Sequence, residues 1–350
     1  TISLVRGEIH EALEIFDQAQ QIYAALNDQD TLAKVAQQMG MASKNLGLYP
    51  EAEQAYRRAL DHFQATGNLS WQANLLNNLG VLQHMQGNFE EASSSFEKAI
   101  QYARLGSYFR LEAYALASIG DLYHDVDAAE EALEAYRQSR PIALRINDRS
   151  LLFYLDLMEA ALVRAAGQFE RAAQLLKNAQ RTFQISQSTS QEALYHLERG
   201  RLLVEQHRCA EALGDLRQSV AFYDRQGHSA DGLSARLYLA VAELEAGDRD
   251  AAWELLHGLQ TASVLPDTHY AVAVCGHRLH ARLETLLKNV AYEQAASVIL
   301  RQVERLERRL PAIRRVLRRQ VQTVPLGPPK LIIHTMGKIQ VRVNGKAVTL

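Results

Sequence analysis

Apolar and small positions recur along most of this chain with two periods at once. Within each segment they fall at i, i+4 and i+7, the spacing that lines one face of an α-helix. The whole pattern then repeats every forty residues. The clearest copy is Gly87-Asn88-Phe89-Glu90-Glu91-Ala92. It is matched at 47–52, 7–12, 127–132 and 167–172, and more weakly at 207–212 and 247–252. Four residues after each alanine stand Phe16, Tyr56, Phe96, Tyr136, Leu176, Leu216 and Leu256. Seven after it stand Ala19, Ala59, Ala99, Ser139, Ala179, Ser219 and Leu259. Twelve before it stand Gly40, Gly80, Gly120, Ala160, Gly200 and Ala240. A fixed period of this size predicts a solenoid of stacked units rather than one globular core.

Each unit reads as two helices, A then B. The small residue of helix A removes side-chain bulk so that helix B approaches closely, and the large residue four after the alanine fills the space between them. A glycine at the A–B junction is suited to positive φ where helix A ends. Turns rich in Gly, Asn, Asp and Ser recur around 27–30, 66–68, 105–107, 146–148, 187–189 and 226–228. Pro50 opens a helix, where a missing N–H costs little. Pro141 falls inside a helix B and predicts a kink or break.

The small residue of helix A, the alanine, the aromatic four later and the small residue seven later resemble the tetratricopeptide repeat (TPR), over residues 1–290. The tryptophan usual near the start of helix A in that family is absent, with Ala36, Leu76, Leu116, Asp156, His196 and Arg236 in its place. So is the closing proline. The period exceeds the family's 34 residues, which predicts longer helices or longer turns, as in the TPR variants of bacterial signal-responsive regulators. The implied fold is an all-α, right-handed superhelical solenoid of seven in-register repeats.

The resemblance also implies that helix A lines the concave face. The candidate ligand-binding residues on that basis are Lys34, Gln37, Lys44, Asn74, Asn77, His84, Tyr114, Asp121, His124, Arg164 and Arg201. The early ones are rich in amides, which can pair with both N–H and C=O of an extended peptide. A peptide, protein or small polar effector is the expected partner; a merely wet inner surface is the alternative.

Beyond 252 the register drifts. A turn at 263–268, a helix over about 268–288 and a capping helix over 291–320 are expected. Residues 301–319 carry eight arginines, with Val303, Leu306, Leu310, Ile313, Val316 and Leu317 spaced for one apolar face. That stretch reads either as a surface for nucleic acid or a partner domain, or as a solvated cap. Residues 321–330 hold three prolines and a glycine and read as a linker. The period then changes to two over 331–336 and 338–343, with Asn344-Gly345 suited to a tight hairpin. This stretch resembles the opening strands of the winged-helix domain of antibiotic-regulatory-type bacterial activators, with Met336 where leucine is usual. That implies a multidomain regulator, with DNA contacted through a domain continuing past Leu350 and a nucleotide-binding switch domain ahead of residue 1. The absent initiator Met suits a piece of a longer chain.

Composition narrows the picture further. A net charge of −2 argues against a generally basic nucleic-acid binder. Two cysteines provide no disulfide framework, and a cytoplasmic, non-membrane protein is expected. No catalytic constellation stands out, so the reading is non-enzymatic and without a cofactor. Cys275, His277 and His280, with His269 nearby, form a weak metal candidate. Homo-oligomerisation stays open. The rival to a regulator's sensor module is a general TPR interaction scaffold.

Overall fold

The computed structural model describes residues 9–226, 230–264, 269–286, 290–328, 331–334, 340–343 and 346–348. Thirteen helices of near-equal length come first: α1 (Ile9–Ala25), α2 (Gln29–Asn45), α3 (Tyr49–Ala65), α4 (Leu69–Met85), α5 (Phe89–Leu105), α6 (Phe109–Asp125), α7 (Ala129–Arg145), α8 (Arg149–Ala165), α9 (Phe169–Ser186), α10 (Thr189–Glu205), α11 (Cys209–Gln226), α12 (Ala230–Ala246) and α13 (Arg249–Val264). Then follow α14 (His269–Arg278), α15 (His280–Leu286), α16 (Val290–Gln320) and three short strands, β1 (Leu331–His334), β2 (Gln340–Val343) and β3 (Lys346–Val348). The strands form one antiparallel sheet, with Leu331 opposite Val343 and Val343 opposite Lys346.

The long period comes from the helices and not the turns. Helices α2 to α8 have seventeen residues each, and three residues join each to the next. The turn is the same throughout. At its second residue the chain takes positive φ, as at Gly47 (78°), Gly87 (76°) and Gly167 (75°). Its third N–H reaches back into the last helical turn, as Leu48 N to Ser43 O at 2.9 Å. Two such bonds satisfy carbonyls that a helix end leaves open. Asn27, Ser107, Asp127, Asn147, Gln187 and His207 hold the same left-handed position without being glycine. Asp28, Asn68, Asp148 and Ser188 then cap the next helix by accepting a backbone N–H three residues on.

The repeat positions form the core. Ala52, Ala92, Ala132, Ala172, Ala212 and Ala252 are all buried, as are Tyr56, Phe96, Tyr136, Leu176, Leu216 and Leu256. The small residue of helix A has one purpose. A Cβ at Gly40, Gly80, Gly120 or Gly200 would stand within 2.7 Å of the partner side chain from helix B, which is Tyr56, Phe96, Tyr136 or Leu216 respectively.

Several expectations are corrected. Pro141 does not break α7, which runs unbroken to Arg145. Pro141 and Arg137 both lie on the exposed face, so the carbonyl deprived of its donor stays open to water. Pro311 likewise sits inside a continuous α16. The helix expected over 268–288 is interrupted at Leu279, dividing α14 from α15. Gly7, residues 265–268 and the Asn344-Gly345 pair lie outside the described residues.

The larger correction concerns the end of the solenoid. Helix α16 does not project as a terminal cap but folds back across the middle of the array. Val303, Leu306, Leu310, Ile313 and Leu317 are buried, as expected of one apolar face, while Val316 is only half-buried. Arg314 Nε donates to Val126 O at 2.6 Å, and Ser93 Oγ to Gln320 Oε1 at 2.6 Å. The segment after it is extended, as its prolines require, but docked. Val321, Val324 and Leu326 are buried. The N–H groups of Gln322 and Thr323 donate to Glu97, that of Gly327 to Glu131, and Tyr123 Oη–H to Val324 O at 2.5 Å. Nothing local in the sequence encodes this strap, because its partners lie about two hundred residues upstream.

Candidate functional site

Because the last helices fold back, they and the inner side of the solenoid together line a partly open cavity of 530 Å³. Helices α2, α4, α6, α8, α10 and α12 each give it side chains, the end of α11 adds Phe222 and Tyr223, and α14 lies across it. Tyr270 of α14 seats against the α4–α5 turn. Its ring is 5.4 Å from that of Phe89, and a Cβ at Gly87 would come within 2.9 Å of it. Arg278 donates to His124 O at 3.0 Å, and His277 Nε2 lies 3.0 Å from Asp127 Oδ2.

Of the residues expected on the concave face, six line this cavity: Lys44, His84, Asp121, His124, Arg164 and Arg201. The other five lie toward the N-terminal end and do not reach it. Asn74, Asn77 and Tyr114 share a shallower hollow of 350 Å³ with Asn78, Arg110 and Leu111. Gln37 Nε2 donates to Asn74 Oδ1 at 2.8 Å, and the Lys34 ammonium stands 5.8 Å from the Trp71 ring centroid. The amide-rich set is therefore partly occupied with itself.

The cavity wall is a charged network held away from water. Glu198 is 1% exposed and lies between Arg164 (Nη2 at 3.3 Å) and Arg201. Arg164 also pairs with Glu205, Arg201 with Ser234, and Tyr238 Oη–H donates to Glu205 at 3.1 Å. Burial pushes the Glu198 carboxyl up, but the two guanidiniums outweigh it and hold it below its ordinary value. Burial raises Asp121 to about 6 even though Tyr136 donates to it at 2.8 Å. His124 is pushed down to about 3, by burial first and then by the charges of Arg278 and Arg164. It is neutral at ordinary pH. Burial also lowers the Lys44 ammonium, while Asp231, from the other end of the array, pulls it back up.

Among the described residues, His124 Nε2, Tyr270 Oη, Arg164 Nε and Arg201 Nε, on side chains around this cavity, are buried without a hydrogen-bond partner. Sequence reasoning missed Asp125, Glu198, Asp231, Tyr270 and Arg278. Asp125 was findable, since it stands one helical turn from Asp121 on the same face. Its Oδ2 lies 3.0 Å from His84 Nε2. The α14 residues were not findable, because the repeat register that locates the others has ended there. Tyr154, Tyr223 and Tyr238 also line the cavity.

The histidines and cysteine singled out for a metal do not converge. Cys275 faces the cavity, its thiol pushed up to about 11 by burial. His277 and His280 turn the other way and share Glu307 Oε1, at 2.6 and 3.0 Å. Among the described residues no group of three His, Cys, Asp or Glu side chains is arranged to hold a metal ion.

Residues 31–105 match the tetratricopeptide repeat family. No curated protein matches the chain by sequence. Among solved structures, a Rap protein complexed with competence and sporulation factor is similar over 87% of both chains, with a TM-score of 0.64 at 13% identity. The Rap conjugation gene regulator of the plasmid pLS20, in complex with the Phr* peptide, covers 89% of this chain and 98% of its own, with a TM-score of 0.54 at 13% identity. The apo form of RapI gives 0.53 over 86% and 85%, again at 13% identity. At this identity the likeness establishes the architecture, a TPR-like all-helical solenoid. Among the described residues no helix is long and apolar enough to cross a membrane.

Proposed function

We propose that this chain is the sensor module of a bacterial transcriptional activator, taking a short peptide or similarly polar effector in the central cavity. The observation that carries the reading is a cavity of 530 Å³ walled by the Arg164–Glu198–Arg201 network, with Lys44, Asp121 and His124 also lining it. Neutral His124 and the Tyr270 hydroxyl can each donate or accept, and the two arginine Nε–H groups can only donate. A peptide backbone offers both complements. Two structural neighbours, each a Rap protein in complex with a factor or peptide, support the same class of ligand.

The relay runs through α14. Its Tyr270 and Cys275 face the cavity, its Gly276 abuts Val303 of α16, and its His277 bonds Glu307 of α16. Helix α16 leads through the docked strap to β1 and, in this reading, to a winged-helix DNA-binding domain. An effector that shifts α14 therefore displaces the element from which that domain hangs. The protein is cytoplasmic and non-enzymatic in this account.

The test is a short-peptide library screened against the chain, with hits followed by calorimetry on Tyr270→Phe. That change removes a hydroxyl with no internal partner, so stability should hold while affinity for a true ligand falls about tenfold. Peptides that bind equally well to wild type and variant, or that protect only the hollow around Asn74 from hydrogen exchange, would move the site away from this cavity.

A further inference from the structure

Helix α16 has a second face. Arg301, Arg305, Arg308, Arg309, Arg315 and Arg319 are all exposed. At 100° per residue they fall within an arc of roughly 120°, and from the first to the last they extend about 27 Å. Of the six only Arg308 meets a carboxylate among the described residues, Glu304 at 3.4 Å. The other two arginines of the helix serve the fold, Arg314 on Val126 O and Arg318 on Gly327 O. The helix carries eight arginines against three glutamates, in a chain whose whole charge is −2.

We infer that this stripe is a contact for the phosphate backbone of duplex DNA, made without regard to sequence. Three observations favour that occupant. The stripe is rigid, since the opposite face is buried and the helix is tied at Glu307, Arg314 and Gln320. Its guanidiniums are planar forks that match phosphate oxygens bidentately. It offers nothing to stack a base upon, because Tyr292, the only aromatic residue of α16, is buried with its hydroxyl on Arg249 O. Single strands, which are held largely by stacking, are thereby disfavoured. It also lacks the exposed apolar anchors that centre a protein interface: none of the large exposed apolar side chains described belongs to α16. The wide major groove of B-form DNA accepts an α-helix between two backbones, which the A-form groove does not.

This inference does not rest on the effector cavity or on a winged-helix domain, since the chain itself makes the contact. The experiment is fluorescence anisotropy of this chain with two short DNA duplexes of unrelated sequence, across a salt series. Both should bind alike, with log K falling against log salt at a slope of about −3 to −5, for four to six phosphates neutralised. Arg301→Glu/Arg305→Glu/Arg308→Glu should weaken binding at least tenfold at low salt and flatten the slope by about three. Arg58→Glu/Arg137→Glu/Arg181→Glu, also exposed but on other helices, is the charge-matched control. Circular dichroism confirms that both variants fold. No binding at low salt, equal loss in the control, or displacement of the DNA by duplex RNA or polyglutamate at lower phosphate or carboxylate concentration would each overturn the inference.

Discussion

A hydrogen atom at Gly120 does what no side chain could. The ring of Tyr136 occupies the space, and an added Cβ would stand 2.2 Å from Cε1. Tyr136 cannot swing clear, because it is fully buried and bonded to Asp121. Gly120→Ala should therefore cost about 1–3 kcal/mol by overpacking, read as a lowered urea midpoint. Gly167 is the contrasting case. It has open space around it but a φ of +75°, so Gly167→Ala should cost about 1 kcal/mol through backbone strain alone. Removing the facing ring in Gly120→Ala/Tyr136→Leu should recover part of the first loss; no recovery would mean that the ring is not what the glycine accommodates. The buried titratable pair makes a second prediction. The folded pKa of Asp121 is raised to about 6, so the folded chain holds a proton there that the unfolded chain has lost between pH 4 and 6. Its contribution to stability grows on acidification through that window. His124, lowered to about 3, behaves oppositely: only the unfolded chain is protonated below about 6.5, and acid destabilises. Asp121→Asn should steepen the acid loss of stability between pH 6 and 4, and His124→Gln should make it shallower. Urea midpoints across that range check both; parallel profiles for the two variants would contradict the assignment.

At the scale of elements, the sequence announced the first thirteen helices because each is specified locally. The alanine register names the buried face, the aromatic four residues later names its partner, and Asp28, Asn68, Asp148 and Ser188 mark where helices start. Pro141 misled because a proline in a helix is judged by the bond it removes, whereas the outcome depends on whether the orphaned carbonyl is buried. Here it faces outward while Ala135, Tyr136, Ser139 and Ala143 hold the helix from the other side. The proline is tolerated rather than required. Pro141→Ala should stabilise the protein by roughly 1–3 kcal/mol, the penalty of an interior helix proline less the unfolded-state freedom it removes. Unchanged or lowered stability would assign Pro141 a role that the helix geometry does not reveal. The cavity was half legible for the same reason. Residues on in-register A helices, such as His124 and Arg201, follow from position alone. Tyr270 and Arg278 come from α14, where no repeat predicts which face turns inward. The acidic residues at the starts of the B helices suit the helix dipole, yet Glu90 and Glu131 also hold Gln320 and Gly327. That use depends on a fold-back no local pattern records.

At the scale of the molecule, the strap and α16 set how the units act together. Shortening the chain to end at Gln320 removes the burial of Val321, Val324 and Leu326 and leaves Glu97 without its backbone donors. Hydrogen exchange in α5 and α6 should rise markedly in that variant, while α9 and α11, which the strap does not touch, should change little. Equal protection throughout would mean that the docked segment adds nothing to the middle repeats. There is a wider consequence. A solenoid whose units meet only their neighbours frays from both tips and can fold piecemeal from any unit. When residue 324 is bonded to residue 123, everything between them lies inside one closed loop. Such a loop has no tip to fray, its closure must await contacts far apart along the chain, and its completion is all or none. Among the described residues, α1 to α5 lie outside it on one side and β1 to β3 on the other. The array should then behave less like a row of separable modules than like a ring that carries tails, opening at the clasp or not at all.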